Sequence, residues 1–232
     1  MGGFNMRTKV KTIWHGSENI IEKPLYGAEK IYNDYGVGFY CTENKELAKE
    51  WACSSNTDGY ANQYEIDMTD MQILNLTDSE YTILNWLALL INNRKFGVST
   101  PVSSHGIQYL TENFLIPIEN IDIIIGYRAD DSYFTFAKAF VNNEISVEQL
   151  KYAMKLCKLG EQVVIKSRKA FDKLCFVQYE AVDNAEYYSK RKSRDENARK
   201  QYAEYAQNND VDGLFMVDII RKGVLNDDLR LR

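Results

Sequence analysis

Histidine and cysteine, the side chains that most often hold transition metals, are scarce: the 232-residue chain has two histidines and four cysteines. Cys41, Cys53, Cys157 and Cys175 lie far apart with no C-x-x-C pair, and two histidines cannot complete a usual zinc set with them. The spacing therefore argues against a metal centre and against a disulfide framework. Each thiol sits beside apolar residues, as in Leu174-Cys175-Phe176, which leads us to expect buried, reduced thiols in a cytoplasmic protein. An excess of positive charge is missing too. The formal net charge of -5 opposes general attraction to phosphate backbones and leaves room only for a local basic patch. No apolar run approaches the length that spans a bilayer, and the N-terminus lacks a signal-peptide pattern, so no membrane partner is expected. No Gly-x-Gly-x-x-Gly joins a strand to a helix, which removes support for a Rossmann reading.

What is present is an alternation of short apolar strands with amphipathic helices, in a chain long enough for one domain plus an appendage. Residues 1–8 read as an N-terminal extension without a structural role, Met6 being an equally natural start. Lys9 to Trp14 reads as a strand ending in a His-Gly-Ser turn, and Lys45 to Cys53 as a helix entered from Thr42 or Asn44. Tyr60 to Met68 alternates as a half-buried strand, with Tyr64 and Ile66 on one face, and Met71 to Leu76 adds another. Glu80 to Asn92 carries a helical stripe of Ile83, Leu84, Leu87, Leu90 and Ile91.

The pattern weakens from Lys95 to Asn120, where Pro101 and Pro117 act as breakers around a helix near His105 to Phe114, and this stretch reads as an insertion. Ile121 to Tyr127 is a β-branched strand, followed by helices over Tyr133 to Val141 and Val147 to Leu159, the second entered through a Ser146/Gln149 capping box and stopped at Gly160. Glu161 to Ile165 and Leu174 to Val182 are strands flanking a short helix at Ser167 to Lys173. From Asp183 the composition turns to charged, tyrosine-rich helix over Asn184 to Gln207, with a last helix from Asp212.

Two motifs carry the chemistry. The first is Trp14-His15-Gly16-Ser17, and the second is Asp34-Tyr35-Gly36-Val37-Gly38-Phe39-Tyr40-Cys41-Thr42. With Ala48-x-x-Trp51-Ala52, Ile125-Gly126 before Ala129-Asp130-Asp131, and Arg191-x-Ser193-Arg194-Asp195, they resemble the bacterial family DUF3990 and, more broadly, the ADP-ribosyltransferase fold. The resemblance spans almost the whole chain. It implies an α+β architecture with a split β-sheet core and an NAD cleft over residues 9–182, followed by a helical C-terminal extension over residues 183–232. It also implies mono-ADP-ribosyl transfer from NAD to a cellular macromolecule, protein or nucleic acid, by the toxin of a toxin–antitoxin pair with a small antitoxin protein as partner.

Under that resemblance His15 holds ribose hydroxyls and Tyr40 stacks on nicotinamide. An imidazole offers one donor and one acceptor to a diol, and a phenol ring offers a flat face to a cationic pyridinium. Gly16, Ser17, Gly38, Phe39 and Thr42 complete the expected NAD-binding set, with Gly16 and Gly38 allowing close backbone approach. The third catalytic position falls at the head of the strand after Gly160, on Gln162 or on Glu161. Neighbours in a strand point to opposite faces, so one of the two enters the pocket, and we assign Gln162. A glutamine orients a ribose or an acceptor but cannot serve as a general base. Three readings follow from that: an acceptor that needs no deprotonation, an acid supplied by Asp130 or Asp131, which read equally well as a helix cap, or a module that binds a nucleotide without transferring it. NAD hydrolysis is a further variant, with water as the acceptor.

Other residues have plainer readings. Trp51 fits the buried face of the first helix. His105, near Ser103 and Ser104, lacks the surroundings of a catalytic nucleophile. Lys190-Arg191-Lys192 with Arg194 reads as a solvated helical face, and the tail tyrosines Tyr187, Tyr188, Tyr202 and Tyr205 as packing residues.

Overall fold

The computed structural model describes residues 9–28, 32–97, 100–129, 131–156, 161–206, 210 and 212–232, apart from the side chains of residues 131, 132, 156 and 206. Along these residues run β1 (Val10–Ser17), β2 (Phe39–Cys41), α1 (Lys45–Ala52), β3 (Gly59–Asp67), β4 (Ile73–Asn75), α2 (Ile83–Asn93), α3 (Pro101–Phe114), β5 (Ile123–Tyr127), α4 (Asp131–Val141), α5 (Val147–Leu156), β6 (Glu161–Ile165), α6 (Arg168–Phe171), β7 (Leu174–Val182), α7 (Asn184–Ala206) and α8 (Met216–Lys222), before a final 3-10 turn at Leu229–Leu231. The architecture is mixed α+β with two sheets and no closed barrel.

One sheet is antiparallel with order β1-β3-β7, and the other runs β2-β6-β5-β4 with only β4 and β5 parallel. They meet where β1 passes β2. There Trp14 and Thr42 form one bridge pair, exchanging N–H···O bonds of 2.8 and 2.9 Å. Beyond it the sheets diverge, and the period-two alternation of their strands fills the space between them. Ile13, Tyr64 and Ile66 from the first sheet meet Phe39, Cys41, Ile123, Ile125, Val163 and Ile165 from the second.

The opposite face of the second sheet, through Ile124 and Val164, packs on the helical layer that holds the largest core, around the buried stripe of α2 and Phe136, Phe140, Leu150 and Met216. α1 covers the outer face of the first sheet, burying Ala48 and Ala52 against Trp14, Ala61 and Val182. Asn44 starts α1, its Oδ1 accepting from Glu46 and Leu47 N–H at 3.0 and 3.3 Å. The Ser146/Gln149 box forms ahead of α5: Gln149 Oε1 accepts from Ser146 N–H at 2.9 Å, and Ser146 Oγ from Gln149 N–H at 3.2 Å.

Several local expectations are corrected. His15, Gly16 and Ser17 are not a turn: β1 continues through Ser17, pairing with Asn62, Ala61 and Tyr60 of β3. Lys95 to Asn120 is no insertion, because α3 packs on α2 and sinks Leu110 and Phe114 into the main core. Pro101 starts that helix rather than breaking it, occupying the first turn behind the Thr100 cap, where a missing N–H costs nothing. Cys175 is exposed rather than buried, since alternation along β7 turns its neighbours Leu174 and Phe176 to the inter-sheet core. Cys41 and Cys53 are buried free thiols, and Cys157 and Gly160 lie outside the described residues. The helices after residue 183 pack into the body: Met216 and Ile219 of α8 and Ala198 of α7 are core residues. No helix among the described residues is long and apolar enough to cross a membrane.

Candidate functional site

Where the sheets part, a cavity of about 420 Å³ opens, lined by His15, Gly16, Asn33, Asp34, Tyr40, Trp51, Arg94, Arg128, Ala129 and Gln162. Its volume is in the range of small-molecule sites. Three strands from distant parts of the chain supply the residues singled out in the sequence: His15 from β1, Tyr40 from β2 and Gln162 from β6.

His15 is oriented from two sides. Its ring stacks on Phe39 with centroids 4.3 Å apart, and its Nδ1 lies 2.7 Å from the carbonyl oxygen of Tyr40. A carbonyl only accepts, so Nδ1 carries the proton and Nε2 presents a lone pair. Burial holds the imidazole below its ordinary value of 6.5, against the opposing effect of that hydrogen bond, and the ring is neutral near pH 7. Tyr40 is half-buried, and its hydroxyl donates to Gly36 O at 2.7 Å while accepting from Tyr35 N–H at 3.0 Å. The phenol thereby fastens the loop ahead of β2 and leaves its ring on the cavity wall.

That loop positions Asp34. Lys166 Nζ donates to Tyr35 O and Val37 O at 2.5 and 2.6 Å. Tyr35 crosses above Gly126 and donates to Tyr127 O at 2.7 Å, and a Cβ on Gly126 would collide with the Tyr35 hydroxyl. Held this way, the Asp34 carboxylate is buried and accepts from Ala129 N–H at 2.8 Å and from Gln162 Nε2 at 3.3 Å, while Arg94 Nε lies 3.2 Å away. Burial raises the Asp34 pKa, with Arg94 and the Ala129 N–H pulling against it. With its Nε2 given to Asp34, Gln162 is left with a buried Oε1 that has no hydrogen-bond partner among the described residues, and it is 4% exposed. An acceptor buried without a donor costs about 1–3 kcal/mol. A ligand hydroxyl would remove that cost, and Gln162 is set to receive one.

The other expected residues distribute as follows. Glu161, one position before Gln162, is exposed on β6. Phe39 is buried and acts on the site by stacking behind His15. Ser17 does not line the cavity; its Oγ accepts from Asn19 N–H at 3.1 Å. Thr42 is buried beneath the sheet junction, with its Oγ1 accepting from Asn44 N–H at 3.1 Å. Both glycines are also required by packing. A Cβ on Gly16 would strike the α1 backbone at Ala48 and Ala52, and one on Gly38 would stand 2.8 Å from Val164 Cγ1 and 2.9 Å from Ile165 O. Gly16 still lines the cavity, and Gly38 does not. Asp130 lies outside the described residues; the backbone at Asp131 begins α4, and the side chain there is not described.

Six wall residues were not read from the sequence as site residues: Asn33, Asp34, Trp51, Arg94, Arg128 and Ala129. Trp51 was expected in the core, but it is half-buried on the cavity wall beneath the Arg128 guanidinium, 4.1 Å from its ring centre, and its Nε1 is buried with no hydrogen-bond partner among the described residues. The α1 periodicity points Trp51 inward as expected, and what it meets there is the cavity. Arg94 lies beyond α2 and Arg128 beyond β5, so only the packing of α2 beside the second sheet brings them to one wall. Asp34 stands inside a quoted motif, where its neighbours hide it. Among the described residues no group of three or more His, Cys, Asp and Glu is placed to hold a metal ion.

A family model described as a protein of unknown function, DUF3990, matches residues 11–176. The chain belongs to the DUF3990 family. The match contains every residue of the cavity wall and ends within β7, before α7 and α8. No curated protein and no solved structure matches the chain.

Proposed function

We propose that this DUF3990 protein is an NAD-dependent mono-ADP-ribosyltransferase acting on a cellular macromolecule. The observation that carries the reading is the convergence of His15, Tyr40 and Gln162, from three strands, on one cavity at the parting of two sheets. Those are the three positions that the resemblance to ADP-ribosyltransferases singles out. The unpartnered Gln162 Oε1 and the lone pair on His15 Nε2 suit the hydroxyls of a ribose, and the Tyr40 ring suits a pyridinium face. Arg128 and Arg94 put positive charge on the same wall, which suits a pyrophosphate.

In the transfer, the ribose–nicotinamide bond breaks with its electron pair going to the nicotinamide nitrogen, and an acceptor lone pair bonds to the ribose carbon while its proton passes to water. The protein's share is placement and charge. His15 and Gln162 fix the ribose, and Asp34 fixes Gln162. The Asp34 carboxylate is occupied by Arg94, Ala129 N–H and Gln162, which leaves it a supporting group rather than a base. Such a site transfers to acceptors that are nucleophilic without deprotonation.

The same occupation of Asp34 favours a second reading, a module that binds NAD without turnover. Labelled NAD separates the two. Incubated with cell lysate under protease, RNase and DNase controls, the transferase releases nicotinamide and moves label to a macromolecule, and His15→Ala abolishes both. NAD binding by calorimetry without nicotinamide release selects the binding module. Free ADP-ribose as sole product makes the protein an NAD glycohydrolase, and absence of binding and release together ends the NAD reading. The toxin role belongs to the same proposal: expression arrests bacterial growth, His15→Ala relieves the arrest, and a small antitoxin protein binds the chain in the cytoplasm.

A further inference from the structure

A second cavity, of about 410 Å³, lies under α7 and is lined by Tyr188, Arg191, Lys192, Asp195 and Arg199 on the helix and by Cys53, Ser54 and Ser55 after α1. The helix is anchored on both sides of it. Tyr187 and Tyr188 pack on the cluster formed by Trp14, Ala48 and Ala52, and Arg194 Nε pairs with Glu50 at 2.9 Å. Farther along, Tyr202 lies on Phe136 and Tyr205 on Tyr152, with ring centroids 4.1 and 3.9 Å apart. Between these anchors, α7 turns a charged face to the cavity.

Arg191 is half-buried there, with no hydrogen bond or ion pair among the described residues. Lys192 reaches Glu196 only at 3.9 Å, and Arg199 pairs with Asp195 at 2.9 Å. A guanidinium drawn partly out of water without a counter-charge is costly until an anion completes it. The sequence suggests a solvated face for this basic cluster; in the structure it walls a cavity.

We propose that this cavity is a phosphodiester-binding subsite for a single-stranded nucleic acid. Three cations and one carboxylate leave two net positive charges. Arg191 and Arg199 stand eight residues apart on α7, about 12 Å along the axis, with Asp195 between them. A carboxylate in the middle repels a phosphomonoester dianion or a compact pyrophosphate, whereas a strand carrying one charge per phosphate places its charges on either side. Ser54 and Ser55 on the cavity wall carry hydroxyl donors, and Tyr188 adds a ring on which a base can stack. The net charge of -5 confines the attraction to this spot.

Trp51, on the first cavity, is two residues from Cys53, on the second, which puts their Cα atoms at most about 7.6 Å apart. A strand held under α7 would therefore extend toward the proposed catalytic cavity as its acceptor. That role rests on the transferase reading; the binding of a strand does not.

The test is fluorescence anisotropy with a labelled single strand of about ten nucleotides, RNA and DNA in separate arms, over a salt series. Two neutralised phosphates on a single strand give a slope of log affinity against log salt near about -1.4, and Arg191→Ala brings it to about -0.7. Arg191→Glu eliminates binding, and His15→Ala leaves it unchanged. Lys192→Ala, at an exposed position, lowers the slope without risk to the fold and reads the proposal even where Arg191 variants fail to fold. Binding unaltered by Arg191→Glu and Lys192→Ala in folded protein overturns the proposal. So does displacement of the strand by inorganic phosphate or a phosphoserine peptide at equal concentration. Strand binding in a protein that neither binds nor consumes NAD leaves the subsite standing and removes the transferase reading.

Discussion

The two cavities at either side of the end of α1 are built on opposite principles. In the first, Asp34 and Gln162 are buried, and Asp34 is tied by hydrogen bonds to Gln162 and the backbone of Ala129 and by an ion pair to Arg94. In the second, charged residues of α7 wall the cavity at partly exposed positions, and Arg191 has no hydrogen bond or ion pair among the described residues. Buried polar groups must be cross-tied because each loose end costs free energy, and that cost keeps their geometry single-valued. Partly exposed cations are under a weaker form of that requirement, and they attract ligands without holding the fold together. The first cavity lies wholly inside the DUF3990 match, while every α7 residue of the second lies beyond it.

The sharpest way to break this contrast is Asp34→Ala. Removing one partner of a buried ion pair costs about 3 kcal/mol, at the lower end because the Arg94 side chain is 27% exposed, and urea denaturation should show the loss. Next comes Gln162→Ala, expected to slow nicotinamide release about 10²-fold under the transferase reading, through the loss of ribose placement. Its effect should fall on kcat more than on KM for NAD. Gly16→Ala drives a methyl group into the α1 backbone and should cost about 2 kcal/mol, seen as a lower urea midpoint, by prising α1 from β1.

A smaller effect concerns pH. The lowered pKa of His15 means that the unfolded chain takes up its proton first, so this contribution to stability is full above 6.5 and declines as pH falls below that value. Denaturation midpoints of His15→Gln should lack that decline, and a parallel pH profile in both proteins would show that His15 is not held neutral. Asp34, with its pKa raised, contributes in the opposite sense: its stabilisation is full below the ordinary carboxylate value and is lost as pH rises through its raised pKa. Smallest of all is Arg191→Ala, with a change within about 0.5 kcal/mol in denaturation, as suits a side chain with no hydrogen bond or ion pair among the described residues. A larger loss would place Arg191 in the fold and weaken the contrast between the cavities.

Strand and helix identity were legible wherever periodicity was clean. The buried stripe of α2, the Asn44 cap and the Ser146 box each follow from local rules that hold without tertiary help. Local rules misread Pro101, because a proline that breaks a helix and one that begins it look alike until the Thr100 cap is seen. At Gly16 and Gly38 an absent side chain signals close approach, and the packing shows that α1 and β6 come close there. Alternation was enough to send Glu161 and Gln162 to opposite faces, and the sheet pairing decided which face meets the cavity.

From the sequence alone came the scarcity of metal ligands, the negative balance, the order of strands and helices, and two motifs with chemistry in them. These are properties of residue type and of spacing along the chain, readable one segment at a time. Tertiary structure alone decided that Asp34, Arg94, Arg128 and Trp51 share a wall with His15, that Gln162 keeps an unpartnered oxygen there, and that a basic face of α7 stands over a cavity. Each of those depends on segments that meet only after the two sheets diverge and the helices close around them, and no local pattern encodes which side of a helix another helix will leave uncovered.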